Sequence, residues 1–211
     1  LISSQIGVNK IKIIESYNIM LKKIKNLREK TGAGIVEIKK ALQASGGDEE
    51  KAITILRKRG QEKALKKSER SAKEGIIASY VHLNGKVGAM VKLYCETDFV
   101  ARNEEFKELA RDLAMHITAA NPKYLKPEDI PQTEVKKEKE IWTVQLEQEG
   151  KPKNIIPKAL MGKENKFRQD SALLTQPFVK NPDLTIGELV AEKIGKIGEN
   201  IQIGDFFRFE L

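Results

Sequence analysis

The side chains able to do chemistry are sparse and scattered. His82 and His116 are the two histidines and Cys95 is the single cysteine. His82 stands in an alternating, strand-like run, and His116 follows the apolar face of a helix-like one. Neither has a His, Cys or carboxylate at metal-ligand spacing, so a satisfied structural imidazole is expected for each. One cysteine excludes an internal disulfide and a four-cysteine metal site, and it fits a reducing compartment. Gly32-Ala33-Gly34 lies between two helical patterns with no Lys-Ser/Thr behind it, so it is not a phosphate loop. Ser71, Ser79 and Ser171 lack the context of a nucleophile elbow. The pattern points to a protein that acts by binding, with no catalytic residue, metal ligand or cofactor expected.

One stretch raises a different question. CETDFVARN, residues 95–103, stands where a strand stops and a helix begins. Such junctions usually carry small polar residues, yet Phe99 and Val100 follow directly on Thr97 and Asp98. Phe99 has two readings. It folds under the next helix and packs on Phe106, as most aromatics bury, or it is presented to something outside the chain. For Arg102 and Glu96 the bland reading is an exposed ion pair, worth under about 1 kcal/mol.

The elements that must position this stretch are legible from periodicity. Val87, Ala89, Val91, Leu93 and Cys95 alternate with more polar residues, which is strand spacing. GIIASYVHL before them is rich in β-formers, and Asn84-Gly85 between the runs predicts a β-hairpin. After the stretch, Asn103 is a helix cap, with Glu104 and Glu105 in the first turn and Phe106, Leu109, Ala110, Leu113 and Ile117 on the buried stripe. Asn121-Pro122 ends that helix. Helices are expected over about 132–149 and 153–168, another from Thr185 to Lys196 with Ile186, Leu189, Val190 and Ile194 inward, and a final strand from Ile201. Cys95 falls on the apolar face of its strand, as a buried inert thiol. DFVARN is echoed by PFVKN at 177–181, for which duplication and chance are equally good accounts.

Upstream, residues 21–60 predict three short helices. Their inward residues are Leu21, Ile24 and Leu27, then Ile35, Ile38, Ala41 and Leu42, then Ala52, Ile53 and Leu56. Thr31-Gly32-Ala33-Gly34 and Ser45-Gly46-Gly47 separate them, Asp48 caps the third, and Gly60 is expected to close it. Val36 faces outward in this reading. Forty residues make a marginal core, so the bundle reads as a small docking module. QEKALKKSERSAKE, 61–74, reads as an exposed helical linker, and 75–211 as an α+β core. Residues 1–20 form an extension of unknown role. They lack Arg and include Glu15, unlike a transit peptide, and Met20 could be an ordinary start.

Of the 211 residues, 40% are hydrophobic and 32% charged, a globular composition with enough apolar residues for a core. No run reaches the ~18 apolar residues of a membrane span. The net charge of +8 is uneven: residues 1–74 carry 18 Lys and Arg against 9 Asp and Glu, and residues 75–211 carry 20 against 21. The basic third suits either nucleic acid or an acidic protein surface. Aromatics make up only 6% and acidic residues interrupt the basic runs, which weighs against nucleic acid.

Taken together, TGAGIVEIKKAL (31–42), GGDEEKAITILRKRG (46–60), CETDFVARN, LAMHI, NPKYL, EGKP, QPFVKNP and KIGENIQIGDFFRFEL resemble, in order and spacing, translation elongation factor Ts. The resemblance runs from about Leu21 to the end. It implies an exchange factor for elongation factor Tu, a ubiquitin-associated-like three-helix module over 21–60 that docks on the GTPase domain, and an α+β core against the rest of the partner. It implies that Thr97, Asp98, Phe99 and Val100 dislodge Mg²⁺ from the partner, with Val36 and Arg102 as candidate contacts. The chain has no room for the coiled-coil insertion of longer members. It is similar to short members that act as homodimers, in the bacterial cytoplasm rather than an organelle, without cofactor, membrane or stable nucleic acid. A basic nucleic-acid-binding protein and a ubiquitin-like adaptor are the alternatives, and the second leaves TDFV unexplained.

Overall fold

A 30-residue helix, α1 (Ile2–Thr31), opens the chain. The computed structural model describes the backbone from residue 2 and the side chains from Tyr17 onward. Helices α2 (Ile35–Ala44) and α3 (Glu49–Lys67) follow, and the three share a core of Ile24, Leu27, Ile38, Ala41, Leu42, Ala52 and Leu56. Thr31 closes α1 by donating its hydroxyl to the Leu27 carbonyl at 2.6 Å, and Gly32 then takes φ +62. At the end of α2 the Gly47 N–H reaches the Leu42 carbonyl at 2.8 Å. Asp48 caps α3 by accepting from the Lys51 N–H at 3.1 Å.

Three expectations for this region are corrected. Gly60 does not close α3, which continues to Lys67. A lone helical glycine costs about 1 kcal/mol relative to alanine, too little to stop a helix backed by the helix formers that follow. Ile35 is 46% exposed rather than in the core. It is the first residue of α2, beyond the reach of a core centred on Ile38. Leu21 is likewise half exposed, one turn before Ile24.

The chain forms two compact units. One is built from the residues up to Arg70 together with Ala191–Asn200, the other from Ser71–Val190 and Ile201–Leu211. Residues 191–200 are tied into the first unit by polar contacts. Lys67 donates to the Gly198 carbonyl at 2.5 Å, and the Asn200 amide donates to the Arg70 carbonyl at 2.7 Å.

The second unit is α+β. Strands β1 (Glu74–Val81) and β2 (Val87–Cys95) form the expected hairpin. Its loop is longer than two residues: Gly85 donates to the His82 carbonyl at 2.8 Å, and Gly85 has φ +68 while Asn84 stays at negative φ. A single left-handed residue suffices for this turn, and glycine takes it without a Cβ clash. The last strand, labelled β5 below, is Gln202–Glu210 and completes an antiparallel sheet in the order β1-β2-β5. The long helix on the sheet is Glu104–Ala120, and every residue of its expected stripe is buried. Between them the chain makes a one-turn helix, α4 (Asp98–Ala101), so the long helix is α5.

Helices α6 (Gln132–Gln148) and α7 (Ile156–Ser171) pack through Trp142 and Phe167, edge to face with centroids 5.7 Å apart. Glu164 of α7 meets both Lys139, at 2.6 Å, and Arg168, at 2.9 Å, and the hydrogen bonds from these cations hold its carboxyl below the usual range. A small two-stranded sheet joins β3 (Pro177–Phe178) and β4 (Asn181–Thr185). Helix α8 (Ile186–Ile197) follows, entered by a reciprocal cap in which Glu188 accepts from the Thr185 N–H at 2.9 Å and donates its own N–H to the Thr185 hydroxyl at 3.2 Å. The echo between DFVARN and PFVKN has no structural counterpart. The first makes a helical turn and the second a strand and tight turn.

Candidate functional site

CETDFVARN is braced at both ends. Cys95, the last residue of β2, is fully buried and donates its thiol to the Thr97 carbonyl at 3.2 Å. At the other end the Asn103 side chain caps α5, accepting from the Glu105 N–H at 2.8 Å. The turn between them is held by its own backbone: the Ala101 N–H reaches the Thr97 carbonyl at 3.2 Å and the Arg102 N–H the Asp98 carbonyl at 3.1 Å. Thr97 caps this turn by accepting from the Val100 N–H at 3.4 Å. Four residues are too few for a helix to persist alone, so the strand before it and the capped helix after it fix its direction.

That direction decides where Phe99 goes. Ala101 points inward and is buried. Two residues along a helix are about 200° apart, so the Phe99 side chain leaves on the opposite side and is 79% exposed. Phe106, on which Phe99 would pack if it folded under the next helix, is fully buried. The chain forgoes the roughly 1.5–3 kcal/mol that burying a phenylalanine would contribute. Beside the ring, Asp98 and Arg102 pair at 3.0 Å, with the guanidinium largely exposed. The segment thus offers a rigidly mounted aromatic with one ion pair at its base. In the helical unit Val36 is 66% exposed next to half-exposed Ile35.

The other sequence candidates take structural roles. His116 is buried with both ring nitrogens engaged, by Gln176 and by the Val179 N–H. His82 lies just past β1, exposed, with its Nδ1 3.3 Å from the Tyr80 hydroxyl. Among the described residues no group of three His, Cys, Asp or Glu side chains is placed to hold a metal ion, and no helix is long and apolar enough to cross a membrane.

One surface was missed. The face of the sheet away from α5 exposes Ile77 and Val81 of β1, Met90 of β2, and Phe207 and Phe209 of β5. The register sets Met90 opposite Phe207 and Gly88 opposite Phe209, so these side chains share one face. The signal was present in FFRF, 206–209, where aromatics occupy both parities of a strand that can bury only one.

A model of the family "Elongation factor TS" matches residues 15–211. The chain belongs to the elongation factor Ts family. It is 52% identical over 188 residues to elongation factor Ts of Carboxydothermus hydrogenoformans, covering 89% of this chain and 87% of the relative. With elongation factor Ts of Thermodesulfovibrio yellowstonii the identity is 54%, covering 89% and 94%, and with that of Thermosipho melanesiensis it is 51%, covering 90% and 97%. Membership makes this a translation elongation factor, and the nearly full coverage of these relatives fits a short elongation factor Ts. The family match starts six residues before Leu21, so part of the stretch read as an extension belongs to the family region.

Proposed function

We propose that the protein is the guanine-nucleotide exchange factor for elongation factor Tu, acting in the bacterial cytoplasm without covalent chemistry. The observation that carries this reading is Phe99, held 79% exposed on a braced turn in a chain of this family. In the proposed mechanism Thr97 and Val100 keep the turn closed. Phe99 enters a slot beside the partner's nucleotide site, and Asp98 meets a polar or basic group there, with Arg102 either retaining its bond to Asp98 or exchanging it. The cation at that site bridges and neutralises phosphates, so disturbing its supports weakens nucleotide binding.

Magnitudes set the division of labour. A thousandfold faster release of GDP requires a barrier lower by roughly 4 kcal/mol, and burial of one Phe supplies about 1.5–3 kcal/mol. The remainder comes from docking, by the helical unit through Val36 and Ile35 and by the α+β unit. Coupling is reciprocal, so bound nucleotide weakens this protein's affinity by the same factor, and the factor leaves when GTP rebinds. The basic N-terminal third would steer encounter with an acidic surface, so the association rate should fall with added salt. We also propose a homodimer, favoured by the apolar open face of the sheet: Ile77, Val81, Met90, Phe207 and Phe209 form a patch that a second copy would cover.

The test is release of fluorescent GDP from elongation factor Tu with the wild-type protein and with Phe99→Ala. Wild type should accelerate release strongly and the variant should lose most of that effect with unchanged circular dichroism. Equal rates for the two would remove Phe99 from the mechanism, and no acceleration by wild type would remove the function itself.

A further inference from the structure

His116 lies in α5, outside the exposed segment, and its hydrogen bonds permit only one arrangement of protons. The Val179 backbone N–H, which can only donate, points at Nδ1 from 3.3 Å. Nδ1 therefore carries a lone pair. Nε2 faces the Gln176 side-chain oxygen at 3.0 Å. The orientation of that amide is fixed independently, because its nitrogen donates to the carbonyls of Asp170, at 2.5 Å, and Ala120, at 3.5 Å. The imidazole proton thus sits on Nε2, and the ring is neutral.

We infer that the neutral imidazole of His116 is a proton-sensitive latch that holds the turn after Phe178 against α5. A second proton would sit on Nδ1 and face the Val179 N–H, donor against donor, in a fully buried site. Among the described residues, the partners of the ring are the Gln176 amide and the Val179 N–H, and neither carries a charge that would offset a second proton. Asp112, one turn earlier on α5, is bound to Lys180 at 2.6 Å. Arg208 of β5 donates to the Thr118 carbonyl at 2.9 Å and pairs with Glu210 at 2.6 Å. Asp170 presents only its backbone carbonyl to the Gln176 amide. The Phe178 ring, tilted with its centroid 6.2 Å from that of His116, completes the surround.

Burial pushes the imidazole below its ordinary pKa, and the Gln176 bond only partly opposes this. In the opened turn the ring titrates near the ordinary value of about 6.5. The closed form therefore binds fewer protons than the open one. Its stability is full above about pH 6.5 and falls as pH drops, by about tenfold in the closing equilibrium per pH unit, until the closed-state pKa is reached. Once the latch is broken, the Lys180–Asp112 surface pair still tethers Lys180. The opening is thus local, and it changes how half-exposed Val179 and Lys180 are presented.

The experiment is hydrogen–deuterium exchange of the full chain from about pH 7.5 to about pH 5.5, corrected for the intrinsic pH dependence of exchange. Protection of the peptide covering 177–181 should fall about tenfold per unit below pH ~6.5, while α5 peptides stay protected. In His116→Asn the side-chain oxygen can take the place of Nδ1 as acceptor and does not titrate, so protection should become independent of pH. His116→Gln reaches toward Gln176 but offers Val179 no acceptor, and it should leave the turn weakly protected at every pH. PH-invariant protection in wild type, the same pH slope in His116→Asn, or wild-type protection in His116→Gln would each overturn the latch. A ¹⁵N spectrum of the wild-type imidazole decides the tautomer whether or not the variants fold: Nε2–H is expected, and Nδ1–H overturns the inference.

Discussion

Phe99 and Phe178 stand in nearly the same local sequence, Asp-Phe-Val-Ala-Arg and Pro-Phe-Val-Lys-Asn, yet one ring is 79% exposed and the other 5%. The preceding residue and the tertiary brace make the difference. Thr97 and Asp98 begin a helical turn, so the residue that buries is Ala101 and Phe99 faces away. Pro177 has no N–H and fixed φ, so the chain stays extended and the next side chain, Phe178, is turned in beside His116. One phenylalanine holds the fold and the other is held out by it. Exposure of a large aromatic in a short apolar motif is therefore a property of the mounting rather than of the motif.

The largest effect that would sharpen this contrast is expected for Phe178→Ala, which should destabilise the protein by about 3–5 kcal/mol, measured by urea unfolding. A loss under ~1 kcal/mol would mean that Phe178 does not anchor its turn. Phe99→Ala should leave the unfolding midpoint unchanged and reduce the acceleration of GDP release by roughly ten- to a hundredfold, the factor matching the 1.5–3 kcal/mol of one buried phenylalanine. A lowered midpoint would place the ring inside the fold and break the comparison. Asn103→Ala removes the cap that braces the turn from the α5 side and should cost about 1 kcal/mol of stability. If exchange activity is lost beyond that of a merely less stable protein, the brace matters for presenting Phe99. The smallest effect is expected for Arg102→Ala, whose exposed pair with Asp98 should change stability by less than ~1 kcal/mol. A larger change in thermal melting would show the pair to be part of the mounting.

The hairpin, the long helix with its cap and stripe, the capped third helix and the closing strand were readable because each rests on a local rule. These are alternation on a strand, 3.6-residue spacing on a helix, and short polar side chains at the caps. The candidate site segment stood out as an unusual strand-to-helix junction, and the resemblance added its expected role. The direction of Phe99 was not readable, since a strand-to-helix junction can send an aromatic either way. Gly60 misled because a glycine ends a helix only when the chain needs positive φ there, and here it does not. Ile35 misled because a stripe marks which face of a helix is apolar, not how far along that face the core extends.

The amino-acid sequence by itself determined the main elements, the α+β class and the family, because these depend on residue types over short spans and on several motifs recurring in a fixed order. The tertiary structure alone decided three things: that Phe99 stands clear of its own chain, that residues 191–200 group with the first helical unit, and that His116 closes on a turn 60 residues away. Each depends on which distant segments meet, and local propensity carries no information about that.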